Sequence, residues 1–319
     1  MRDNSSATTL IRPVIPPRSA KGLWWGLLGV AAFSFTVPFT RVAVGGLSPL
    51  FIGSGRAVVA GILATCALSL TEQRLPRGKQ WVRLAVVAAG IVVGFPLLTS
   101  FALMTTPASH GAVVIALLPA ATATAAVLRG REQPPIAFWL VTAVGAIAAI
   151  AFALSQAGHP AQSGGLGLLN WADLLLLGAV IAAAIGYAEG GLLARELGAW
   201  QTVSWALVLA LPLMAGLSAL SMAQQPPSAS PVQWAAFAYL GIASMFLGFF
   251  AWYRGLAIGP MAKVSQIQLV QPVLSICWAG LLLGETLGWT TIVGGIAVIL
   301  CAGVAVRVRL NPQPANQNR

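Results

Sequence analysis

Charge is what this sequence has least of. Charged residues make up 8% of the 319 and apolar residues 58%, whereas about a quarter of an ordinary soluble domain is charged. A surface so poor in charge is not built for water, and lipid is the expected solvent. The seven acids are scattered, and only two histidines are present, His110 and His159. An intramembrane enzyme acting on lipid-linked substrates needs clustered acids, a metal site or a nucleophile with its base, and the sequence offers none of these. The three cysteines, Cys66, Cys277 and Cys301, fall inside apolar runs without a CxxC spacing. They indicate neither a disulfide framework nor a metal site, and no cofactor is expected. A P-loop is missing too, so ATP is not the direct driver unless a partner brings it. The formal charge of +11 would suggest nucleic acid in a soluble protein, but the basic residues are not interleaved with aromatics, and no nucleic-acid partner is expected.

Long apolar runs are what the chain has instead. Ten can be drawn, at about 22–44, 48–70, 81–104, 107–128, 135–155, 171–192, 199–222, 232–254, 260–283 and 286–306. Each is near the ~20 residues that cross a ~30 Å hydrocarbon core. Residues 1–21 read as a polar, disordered cytoplasmic tail, 156–170 as an external linker and 307–319 as a second cytoplasmic tail. The first run is too long for a signal peptide and no cleavage site follows it. With the N-terminus inside, 16 of the 18 basic residues fall in inner segments and none in outer loops, leaving Arg41 and Arg56 within spans. That alternation is what the positive-inside rule demands of ten spans with both termini cytoplasmic.

The chain also echoes itself. At an offset of 153 residues, Pro107 meets Pro260, Pro119 meets Pro272, and Glu132 meets Glu285. An internal duplication explains the match, and five spans per copy place the second copy upside down in the membrane. The expected fold is an all-α integral membrane protein of ten transmembrane helices in two inverted five-helix repeats, 22–155 and 171–306. Inverted repeats supply the two near-equivalent states of alternating access.

The run QPVLSICWAGLLLGETLGWTTIVGGIAVILCAGVAV, Gln271 to Val306, resembles the end of an EamA-type repeat, with its mid-helix proline and its Gly284–Glu285 pair. WWGLLGVAAFSFTVPFTRVAVGGLSPLFIGSGRAVVAG, Trp24 to Gly61, is similar to that family's opening helix pair, including Arg41 and Arg56. The first repeat departs from the pattern at Arg131, where the second has Gly284. The resemblance covers about 22–306 and implies the drug/metabolite transporter superfamily, whose members move small metabolites, with efflux of amino-acid-like solutes as the expectation. It implies an inner-membrane location as well.

Several residues stand out as candidates to bind the solute. Arg56 lies about 10 Å into the second span, where a lipid-facing guanidinium would cost on the order of 3 kcal/mol. It should face inward, either toward an anionic group or as a clamp on backbone carbonyls, whereas Arg41 is expected to snorkel. Gln268, Gln271 and Ser275 share one helix face at i, i+3 and i+7; Gln268 reads as helix glue and Gln271 as cavity lining. Pro119 and Pro272 sit 12 residues into their spans, near mid-depth, and either kink the helix alone or kink it beside the cavity. Phe33, Phe95, Phe246 and Phe249 fall at middle depths and suit an apolar or aromatic-bearing solute with one polar end. Trp252 and Tyr253 lie toward the inner interface. His110, one turn below the outer surface, would serve a proton relay only beside a second titratable group, and none is obvious. Glu189 is expected to pair with Arg195, and Glu132 and Glu285 to face the dipoles of the helices they begin. Pro107 and Pro260 read as helix starters, and Gly90, Gly94, Gly294 and Gly295 as sites of close helix contact.

The leading function is a secondary transporter. Spans 1–4 and 6–9 are expected to surround a central site while spans 5 and 10 brace the outside. The alternatives are the lipid-linked enzyme and a passive channel. A small solute, the bilayer and a second copy of the chain are the expected partners.

Overall fold

The computed structural model describes residues 19–130, 170–259 and 270–285, with isolated positions within 136–147, 264–268 and 288–304. Every regular element among the described residues is helical. Seven helices are long and apolar enough to cross a membrane: α1 (Lys21–Ala43), α2 (Pro49–Leu70), α3 (Lys79–Thr105), α4 (Ala108–Arg129), α5 (Trp171–Leu197), α6 (Ala199–Gln224) and α7 (Pro231–Ile258). A shorter apolar helix, α8 (Val270–Leu283), follows. The first four and the sixth to eighth sequence spans therefore appear as helices, and the ninth appears from Val270 onward. The fifth and tenth lie mostly outside the described residues, as do Glu132, Pro260 and the linker at 156–169.

Local chemistry sets the helix boundaries. Pro49 and Pro231 occupy the first turns of α2 and α7, where no N–H is needed. Ser48 caps α2 by accepting from the Phe51 amide, and Ser230 and Gln233 form a capping box on α7. Between α5 and α6 the chain reverses at a single residue, Gly198, whose φ of +99° is one a side chain would resist.

Prolines break two of the helices. α4 loses its regular ladder at Ala116 and Leu117, just before Pro119, because the ring removes a donor and clashes with the carbonyl four residues back. Before Pro272 there is a turn at Gln268, whose carbonyl accepts from the Gln271 amide at 3.1 Å. Two wide, π-helical turns recur at nearly the same offset, Ala88–Gly94 in α3 and Leu240–Gly248 in α7.

Contacts between helix ends fix the directions. Arg41 at the end of α1 donates to the Leu103 and Met104 carbonyls at the end of α3, so these two run the same way. Arg83 at the start of α3 meets Glu189 and Glu196 near the end of α5, which runs the other way. Ser48 before α2 hydrogen-bonds Ser221 near the end of α6. Gly22 at the start of α1 packs on Gly259 at the end of α7. Glu285 beyond α8 accepts from the first amides of α4. Each helix is thus antiparallel to its partner at the repeat offset: α1 to α5, α2 to α6, α3 to α7 and α4 to α8.

A core of Val30, Phe33, Ile91, Leu103, Leu118, Leu176, Tyr187, Leu207 and Trp252 lies between the helices. Large apolar side chains such as Leu70, Trp171, Leu213 and Leu281 are exposed on the outside, where lipid solvates them. Glycine allows the closest approach. A Cβ on Gly90 would run into the Ala182 carbonyl and the Gly186 Cα, and α3 and α5 touch there.

Candidate functional site

Arg56 projects from α2 into the interior and is 1% exposed. Its Nη2 lies 3.5 Å from the Thr99 hydroxyl of α3, at the limit of a hydrogen bond, and that hydroxyl already donates to the Phe95 carbonyl at 2.6 Å. The Arg56 Nε has no partner among the described residues. No backbone carbonyl clamps this guanidinium in the described residues, so it is a buried cation with weak pairing. Such a group is costly to leave without a counter-charge.

Beside it, between the two repeats, is a cavity. It is bounded by Phe33 and Thr36 of α1, Arg56 of α2, Ile91, Phe95 and Pro96 of α3, Tyr187 of α5, Ser244, Met245 and Phe249 of α7, and Gln271 of α8. The atom-free space is about 330 Å3, but only about 20 Å3 is open to the centre of a water molecule. This accommodates a water or two and no organic solute, so the chamber is narrow. The π turns help shape it, because each is followed at once by a phenylalanine, Phe95 or Phe249, that faces the chamber. Thr36 and Ser244 bond to each other at 2.8 Å across the repeats. The Gln271 Oε1 is buried without a partner among the described residues. A cation, an amide and two hydroxyls thus converge on walls that are otherwise aromatic and aliphatic.

The chamber brings together Phe33, Arg56, Phe95, Phe249 and Gln271 from the sequence candidates. Other candidates go elsewhere. Ser275 donates to the Ser34 carbonyl at 2.7 Å, which is available because the residue four on is Pro38 and has no N–H, and Trp278 reaches the Ser34 hydroxyl at 3.1 Å. Ser275 is therefore helix glue. Gln268 is buried outside the lining; the Tyr187 hydroxyl stands beside its amide. Phe246 packs on Phe250. Trp252 is corrected from an interfacial position to full burial, because its ring is wedged among Phe33 and Tyr187 behind the chamber wall.

The two ends of the bundle hold the charges. At one end Glu189, 2% exposed, accepts from Arg83 and, at 2.6 Å, from Arg129, while Arg83 also bonds Glu196. The expected Glu189–Arg195 pair is thus replaced by one joining α3, α4 and α5, because the interior, not the helix surface, is where Glu189 points. At the far end the expectation for His110 is overturned as well. Its Nε2 lies 2.6 Å from the Asp173 carboxylate in the first turn of α5, and both side chains are buried. Glu285 faces a positive helix end as expected, but that of α4, accepting from the Ala108 and Ser109 amides at 2.8 and 3.0 Å. Arg41, expected to snorkel, caps the C-terminal carbonyls of α3.

Sequence reasoning missed Thr36, Tyr187, Ser244 and Asp173. Tyr187 and Asp173 each carried a signal, being a tyrosine deep in a span and an acid at a span's first turn; two hydroxyls among many did not.

A family model for the EamA-like transporter family matches residues 20–154 and 170–307. A Bacillus subtilis (strain 168) protein, Uncharacterized transporter YdeK, is 42% identical over 282 residues, 88% of this chain and 96% of that protein. A solved structure described only as "Crystal structure of protein" shares the fold with a TM-score of 0.63 at 17% identity, covering 90% of this chain and 96% of its own.

Proposed function

This chain belongs to the EamA-like transporter family, within the drug/metabolite transporter superfamily, and is a multi-pass membrane transporter; on that premise we propose that it exports small carboxylate-bearing, amino-acid-like solutes by alternating access. The observation that carries the solute class is Arg56, a buried guanidinium beside a chamber whose described lining includes no acid. An anionic group entering the chamber would supply the missing counter-charge through a charge-assisted, bidentate contact. Gln271, Thr36 and Ser244 offer donors and acceptors to a second polar group, and Phe33, Phe95 and Phe249 receive an apolar body.

The mechanism follows from the paired ends. The Arg83–Glu189–Arg129 network closes the end toward which the basic loops point, which we assign to the cytoplasm of an inner-membrane protein. The His110–Asp173 and Glu285 contacts close the outer end. With both closed, the narrow chamber corresponds to a state between the two open ones. Transport then requires the ends to part in turn, each repeat adopting the conformation of the other, and the ten spans of the sequence reading provide five for each.

The test is counterflow. Purified protein in sealed vesicles preloaded with a mixture of amino acids and short organic acids should take up a labelled member with saturation. Arg56→Gln should lower uptake at least tenfold for carboxylates, with Arg56→Lys intermediate. Flux without saturation would point to a channel. Equal activity of the Arg56→Gln variant would remove the carboxylate reading.

A further inference from the structure

Resting on the alternating-access reading above, we propose that the buried His110–Asp173 pair is a proton-binding latch, and that protonation there holds the outer end shut. His110 lies in α4, within the first matched segment, and Asp173 in α5, within the second. Their contact at 2.6 Å therefore spans the two halves that must part when this end opens. It is shielded as well, with His110 9% and Asp173 2% exposed, so opening would carry it into water.

Among the described residues, the other charges at this end are already matched. α4 is packed by α8, α5, α1 and α3. From beyond α8 comes Glu285, whose two oxygens take the Ala108 and Ser109 amides. From α1 comes Arg41, held on two carbonyls of α3. α3 itself brings no titratable group here, since residues 88–105 include none. Asp173, at the start of α5, is the acid from that helix. The Glu285 carboxylate and the Arg41 guanidinium each face a helix end of opposite polarity. Imidazole is the side-chain type whose charge ordinarily changes near neutrality.

One proton changes the character of the joint. With His110 protonated, an imidazolium faces a carboxylate in a shielded site, and the hydrogen bond is charge-assisted. Without the proton, the same carboxylate faces a neutral ring, and the attraction between opposite charges is lost. The balance is simple: one N–H bond forms at His110 with a proton taken from the outer water as the end closes, and it breaks as the end opens, returning the proton to the outer water.

The experiment uses the full chain in membrane vesicles of both orientations, with Cys66, Cys277 and Cys301 replaced by alanine and Ser244→Cys placed in the chamber as reporter. A membrane-impermeant maleimide is applied from each side between about pH 5 and pH 8. Rates are divided by those of the same protein unfolded in detergent, which removes the pH dependence of the thiol itself. Labelling from the outside should rise about tenfold from the acid to the alkaline limit. It should become flat in His110→Gln and in Asp173→Asn, which remove the titrating group and its partner from different helices. In parallel, with His159→Gln leaving one histidine, 15N imidazole resonances should show His110 titrating over the same interval in the otherwise unaltered chain. A normalised rate that does not vary with pH, a variation that persists in both variants, or a His110 that does not titrate overturns the proton site. If labelling is instead equal from the two sides under all conditions, the alternating-access reading falls with it.

Discussion

Glu189→Gln should unlock the cytoplasmic end. The wild-type carboxylate is 2% exposed and serves Arg83 and Arg129 at once, so the neutral amide leaves two guanidinium groups without their shared counter-charge. Breaking a fully buried pair costs about 3–5 kcal/mol, but that figure is too large here. Arg129 is 60% exposed and Arg83 22%, so water takes over part of the lost interaction. Arg83 also keeps Glu196. A cost of about 1–2 kcal/mol to the closed state remains, which is about five- to thirtyfold in the closed-to-open ratio. The Ser244→Cys reporter, labelled from the cytoplasmic side of inside-out vesicles, reads this directly. Arg83→Gln should produce a larger increase than Arg129→Gln, because Arg83 is the more buried and joins two acids. Unchanged labelling in Glu189→Gln, or a larger effect from Arg129 than from Arg83, would refute the assignment of this network as a lock.

Other perturbations address the packing and the kinks. Gly90→Ala should lower the melting temperature in detergent by an amount corresponding to about 1–3 kcal/mol, since the added methyl meets backbone of α5; a melt like that of the parent would contradict the close α3–α5 contact. Removing the α4 cap by Glu285→Ala should cost about 1–2 kcal/mol and speed hydrogen exchange at the Ala108 and Ser109 amides, while the α2 start, capped by Ser48, is unaffected. Pro119→Ala restores a donor where α4 is broken, so exchange at Ala116 and Leu117 should slow and counterflow should fall. Faster transport by that variant would show the break to be incidental.

Membrane class, the positions of the described spans, the repeat offset and the proline breaks were legible in the sequence because they are local. A run of about 20 apolar residues must cross a bilayer whatever it packs against, and Pro119 disrupts its own turn in any surroundings. Arg56 was legible too, since a guanidinium at that depth has to turn inward. The partners were not. Glu189 finds Arg83 106 residues away, His110 finds Asp173 63 residues away, and Glu285 reaches across 177 residues to the start of α4. Which side of each helix faces the chamber was equally hidden. On α6, Leu207 is buried while Leu209 and Leu213 meet lipid, and apolar character marks both sides alike. In a lipid solvent the hydrophobic pattern fixes that a helix crosses, while its rotation and neighbours are set by glycine contacts, helix caps and buried polar pairs. Those form only when distant segments are already side by side, and so the tertiary structure alone decided them.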